Sequence, residues 1–169
     1  MIEASILFNL ARQYLTQMSY NGIRIDIDGV LKEQKKLELE IEKKKADFCS
    51  TEEAVWYKKK YGSEIKDSSK AVGEVLFNFR RLKPLKETKK GNYSVDDEVL
   101  SYYAERGNQF CQSLLDLRRI EKRKSTYVDN LILFADVNGY IHPDFNLTTT
   151  RSFRSSCDSP NIQNFPKRQ

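Results

Sequence analysis

Residues 108–132 read NQFCQSLLDLRRIEKRKSTYVDNLI, twenty-five residues without a proline or a glycine. Phe110, Leu114, Leu117, Val128 and Leu131 fall at helical spacings on one seam, so the stretch predicts a single long helix with a narrow apolar face. Arg118, Arg119, Lys122, Arg123 and Lys124 crowd the other side, and 118/122 and 119/123 are i,i+4 pairs that form adjacent cationic rows. Like charges at that spacing cost helix stability, and a phosphate backbone would relieve the repulsion. Asp116 and Glu121 lie in the same stretch, so a charge-balanced solvated face is the competing reading.

A long helix needs a partner to bury its seam. From Ile27 to Ser50 there is again no proline, and Val30, Leu37, Ile41 and Phe48 repeat at roughly heptad spacing among lysines and glutamates. This predicts a helix about 36 Å long, started by Asp26 as N-cap and packed antiparallel against 108–132. Shorter elements surround the pair. Leu7, Leu10, Ala11, Tyr14 and Met18 predict an amphipathic helix buried on that stripe and ended by Asn21-Gly22. Ser68 or Ser69 starts a helix with Val72, Val75, Leu76 and Phe79 inside, ended by Pro84. Residues 86–93 read as a basic loop. Ser94 and Asp97 have capping-box-like spacing for a helix near 96–105, stopped by Arg106-Gly107. Asn138-Gly139 is a turn before a strand from Tyr140 to Phe145. The fold class is mainly α: a long antiparallel helical hairpin with small tip helices and a short β segment at the C-terminal end.

Composition narrows the function classes. A formal charge of +5 and a pI near 9.0 favour a polyanionic partner, diluted by 24 acidic residues. Cys49, Cys111 and Cys157 are odd in number and widely separated, which argues against a disulfide framework or zinc site and for a reducing compartment. The stretch from Ile2 to Leu15 is broken by Glu3, Asn9, Arg12 and Gln13, so it reads neither as a signal peptide nor as a membrane span. Lys58, Lys59 and Lys60 beside Trp56 and Tyr57 read as a solvated face. His142, the one histidine, has no carboxylate-His-Ser or second-ligand pattern around it, which favours a structural or backbone-contacting role.

The last stretch, from Arg154 to Arg168, reads RSSCDSPNIQNFPKR. An arginine, hydroxyls and side-chain amides suit the minor groove, whose N3 and O2 acceptors look alike for every base pair. The segment resembles the one that opens the palm of family A DNA polymerases, T-G-R-L-S-S-x-x-P-N-L-Q-N-I-P. Arg154, Ser156, Pro160, Asn161, Gln163, Asn164 and Pro166 match it. Agreement at seven positions by chance is on the order of one in 10^9 per starting point. Other segments resemble the family in the same order: Asn21 to Asp26 its N-G-V-x-I-D, Ser68 to Phe77 its S-S-x-K-x-L-x-x-I-L-F, Lys83 to Thr88 its K-P-L-K-K-T, Ser94 to Leu100 its S-T-S-E-E-V-L, and Arg118 to Tyr127 its R-G-L-A-K-L-K-S-T-Y. His142 stands twelve residues before Arg154, the family's spacing, with Thr150 and Ser152 where two threonines are usual. Phe153 and Ser155 depart from the usual glycine and leucine.

The resemblance implies a polymerase thumb over 1–135 and the start of a palm over 136–169. It implies that Arg118, Arg119, Lys122, Lys124, Ser125 and Thr126 contact the DNA backbone, and that Arg154, Ser156, Asn161, Gln163 and Asn164 contact the duplex near the primer terminus. The family's D-Y-S-x-x-E and H-D-E motifs are not in this sequence. No catalytic residue, metal ligand or cofactor is therefore expected in this chain, and Mg2+ is expected for the full-length parent. The expected partners are primer-template DNA and the palm and fingers of the same polymerase, in the cytoplasm of a bacterium or phage-infected host. The chain is expected to be a monomeric fragment or subunit, with no membrane partner. A stand-alone helical DNA-binding protein and a coiled-coil adaptor that dimerises on residues 30–48 are the alternatives.

Overall fold

The structure, a computed structural model, describes residues 3–148 and 154–165. Its helices are α1 (Ala4–Asn21), α2 (Ile27–Cys49), α3 (Glu52–Tyr61), α4 (Ser69–Gly73), α5 (Asp97–Ala104), α6 (Gln109–Lys122) and α7 (Asp129–Phe134). π-helical turns, Glu74–Phe79 and Arg123–Val128, extend α4 and α6. The strands are β1 (Ile23–Arg24), β2 (Tyr140–Ile141), β3 (Asp144–Asn146) and β4 (Ser156–Asp158). By packing, Leu37–Lys122 forms one compact unit, and Met1–Lys36 with Arg123–Gln169 forms another. The functional partition expected at residue 135 follows chain order and is a separate matter from packing.

The unit 37–122 holds the apolar core. Phe110, Leu114 and Leu117 of α6 are buried with Phe48 of α2, and the Phe48 and Phe110 ring centroids are 5.1 Å apart. Moving back along α2 from Phe48 to Lys44, the partner on α6 advances from Phe110 to Asp116 (an ion pair at 3.2 Å), so α2 and α6 run antiparallel, and Lys45–Glu121 at 3.0 Å flanks the same seam. Val72, Val75 and Leu76 are fully buried against Val99 and Leu100 of α5. Each such side chain contributes roughly 1.5–3 kcal/mol of burial. Asp96 caps α5 by accepting from the Val99 amide at 3.0 Å; the Ser94–Asp97 box expected there does not form, and the Ser94 hydroxyl accepts from the Asp96 amide.

One element here has no counterpart in the expectations. The segment read as a solvated lysine run is helix α3, capped by Thr51, acidic in its first turn, basic in its last and closed by Gly62 in the left-handed conformation. Arg80 ties it down, donating to the buried Glu53 carboxylate at 2.9 Å and to Glu52 at 2.6 Å. Trp56 stacks on Phe79 at 4.4 Å, and Lys60 lies over the Trp56 ring.

In the other unit, β1 pairs antiparallel with β2, and β3 with β4. The expected single strand from Tyr140 to Phe145 is divided at His142 and Pro143. Helix α1 packs along β3. It does so on Phe8, Ala11, Leu15 and Ser19, which are half-buried; of the expected stripe only Ala11 is half-buried, and Leu7, Leu10, Tyr14 and Met18 are exposed. Both stripes have helical spacing, and periodicity alone does not say which finds a partner. At Gly22 (φ +69°) a Cβ would meet the His142 ring at 2.7 Å, so only glycine fits. Among the described residues no helix is long and apolar enough to cross a membrane.

Candidate nucleic-acid interface

The five clustered cations are not equivalent. In the unit 37–122, Arg118 is largely covered: Nε and Nη2 donate to the two carboxylate oxygens of Asp67 at 2.8 and 2.7 Å, and Nη1 donates to Asp97 at 2.9 Å. The hydrogen bonds it donates to Asp67, ahead of the one to Asp97, push Arg118 further above its already high value. Arg119 is 69% exposed and reaches Asp116 only at 3.9 Å. Lys122 is exposed and, among the described residues, has no carboxylate within ion-pair distance. The expected uniform outward rows therefore divide into a tied guanidinium and two outward charges. Asp116 and Glu121, which the competing reading would set against these cations, both reach across to lysines of α2.

The other unit has its own polar cluster. The π-helical turn Arg123–Val128 places residues five apart on one face. Lys124 Nζ accordingly sits 3.1 Å from both carboxylate oxygens of Asp129, which also accepts from Gln34 at 2.7 Å. Arg123 donates to Glu33 at 2.6 Å. Ser125 and Thr126 are exposed at this turn. Tyr127 turns inward, and its ring centroid lies 5.2 Å from that of Phe165 in the terminal segment.

That segment presents polar side chains from an anchored backbone. Cys157 is buried in β4, and its sulfur accepts from the Ile162 amide at 3.2 Å. Gln163 donates to the Ser155 hydroxyl at 3.1 Å, while Arg154, Asn161, Gln163 and Asn164 are exposed and Ser156 is half-buried. Thr150, Ser152, Phe153 and Pro166 lie outside the described residues. The His142 ring is hydrogen-bonded through Nδ1 to the Ser19 carbonyl at 2.9 Å, the backbone-contacting role its sequence context favours.

Among the described residues no group of three or more His, Cys, Asp or Glu is arranged to hold a metal ion. Burial pushes the Cys111 thiol up to about 12, so it is a protonated core group and not a nucleophile.

A sequence model of DNA polymerase family A matches residues 32–169. The chain belongs to DNA polymerase family A. It is 35% identical over 159 residues to the DNA polymerase I of Synechocystis, covering 91% of this chain and 15% of that protein. It is 31% identical over 156 residues to the thermostable DNA polymerase I of Thermus thermophilus, covering 91% and 18%. A DNA polymerase of Bacillus phage SP01 is 32% identical over 101 residues, covering 60% of this chain and 11% of its own. Among solved structures, the POL domain of Pol1 from M. smegmatis in complex with DNA primer-template and dNTP superposes with a TM-score of 0.74 at 30% identity, covering 92% of this chain and 26% of that one. The chain thus spans less than a fifth of the length of these curated relatives.

The partners of these cations were not legible in the local sequence. Asp67 is 51 residues from Arg118, and no local spacing announces that pair. The Lys124–Asp129 pair is separated by five residues, a spacing that an α-helical reading discards.

Proposed function

We propose that this chain is the primer-template-gripping part of a DNA-directed DNA polymerase, comprising a thumb over 1–135 and the start of a palm over 136–169. The observation that carries the reading is the family A match over 32–169, which takes in both the cationic turn and the amide-bearing segment. The relative from M. smegmatis is described in complex with primer-template DNA, which supports the same partner here. Arg119 and Lys122 supply phosphate contacts from one unit, and Ser125 and Thr126 supply hydroxyl donors from the other. Arg118 and Lys124, whose charges meet carboxylates, support these contacts.

Arg154, Ser156, Asn161, Gln163 and Asn164 contact the duplex through groups that both donate and accept, without reading sequence. The family's carboxylate motifs are not in this sequence, and Mg2+ held by such carboxylates in a full-length polymerase would supply charge neutralisation and nucleophile activation. The chain acts as a monomer, away from membranes, in the cytoplasm. Titrating it into labelled primer-template duplexes of unrelated sequence tests this reading. Equal affinities that fall with salt are expected, and a strong preference for one sequence, or no binding at low salt, would refute it.

A further inference from the structure

Arg118 faces two segments remote from it in sequence. Its fork takes both oxygens of Asp67, and its third nitrogen reaches Asp97 and the Val95 carbonyl, the latter at 3.2 Å. A guanidinium has five N–H donors, and four are directed to these acceptors. The side chain is only 22% exposed, against 69% for its neighbour Arg119. Asp67 immediately precedes Ser68, the N-cap of α4, and Asp97 is the first residue of α5. One side chain of α6 therefore fixes the entry of two tip helices at once. Beside Asp67 lie Lys66 and Lys70, both exposed and, among the described residues, without a carboxylate in ion-pair distance.

We propose that Arg118 is a positioning residue for nucleic-acid binding: it holds the Lys66–Lys70 segment in place so that those lysines meet a phosphate backbone, and does not give its own charge to a phosphate. The geometry favours this because a phosphate would have to displace a bidentate carboxylate pair, the strongest arrangement open to arginine. The proposal rests on the DNA-binding reading above and refines how one end of the chain performs it.

The two roles predict opposite signs for one substitution. Asp67→Asn removes a negative charge beside Lys66 and Lys70. If Arg118 contacts phosphate, this substitution frees a guanidinium and tightens binding. If Arg118 positions the tip, it loosens the tip and weakens binding. The experiment measures affinity and salt dependence of the whole chain for a fluorescently labelled primer-template duplex, with circular dichroism verifying the fold of each variant. Asp67→Asn and Arg118→Lys should each weaken binding roughly three- to tenfold, although one removes a negative charge and the other keeps the positive one, and the double variant should be no worse than either single. Asp97→Asn, at a carboxylate 72% exposed, keeps the Asp67 fork and should lose less in the same direction.

Tighter binding by Asp67→Asn, or wild-type affinity in Arg118→Lys, would overturn the proposal. So would lower thermal stability with wild-type affinity in both, since that marks a purely structural tie. Absence of binding by the wild-type chain would overturn the DNA reading together with this proposal, and is thereby distinguishable from the other failures.

Discussion

Replacing Lys122 by alanine removes an outward charge that, among the described residues, has no carboxylate within ion-pair distance, so its loss should appear in full as lost phosphate contact. For duplex DNA each neutralised phosphate contributes about 0.9 to the slope of log affinity against log salt. Losing one contact should lower that slope by about 0.9, which near 0.1 M salt corresponds to roughly eightfold in affinity, or about 1.2 kcal/mol. Arg123 offers the internal comparison. Its guanidinium is paired with Glu33 at 2.6 Å and 55% exposed; DNA must break that pair, and surface pairs contribute about 0.2–1 kcal/mol. Arg123→Ala should therefore weaken binding less than Lys122→Ala. Fluorescence anisotropy across a salt series measures both slopes. An unchanged slope in Lys122→Ala, or a larger loss in Arg123→Ala, would refute the ranking of cations by their internal partners.

Phe110, fully buried against Phe48, should cost about 3–5 kcal/mol when replaced by alanine, read from urea unfolding. Glu74 accepts from Lys60, Tyr61 and Asn78, which lower its carboxyl from 4.5 to about 2. Its folded value lies below its unfolded one, so its stabilising contribution is present above pH 4.5 and lost as pH falls toward 2. Glu74→Gln should be less stable than wild type at neutral pH, and thermal melts should converge at the acid end. Arg154→Ala, made in the full-length polymerase, should impair primer extension more than DNA binding, because a contact near the primer terminus fixes geometry at the reacting end. Extension at the wild-type rate would detach Arg154 from that role.

What the sequence made legible follows from what is local. The seams of α2 and α6 are written in apolar spacing, and Leu37, Phe48, Phe110, Leu114 and Leu117 are buried as their periods require. Helix α3 was legible too, since Thr51, the glutamates after it, the lysines at 58–60 and Gly62 form a complete cap-to-cap signature. The outward stripe of α1 was not legible, because two helical stripes of similar spacing compete and only tertiary packing selects one. The candidate interface divides in the same way. Which residues carry charge is read directly, but whether a charge is available depends on carboxylates such as Asp67 and Glu33, brought near from 51 and 90 residues away. The π-helical turn shifts register by one residue, which is why Lys124 meets Asp129.

The central claim is that two specific segments of this chain face primer-template DNA. Amide hydrogen exchange, measured by mass spectrometry on the whole chain with and without saturating primer-template duplex, tests it most directly. The account predicts added protection in peptides covering residues 118–126 and 154–164, and also in the peptide carrying Lys66 and Lys70, with the exchange of α3 unchanged. Protection confined to other peptides, with those two segments exchanging as in the free chain, would contradict it.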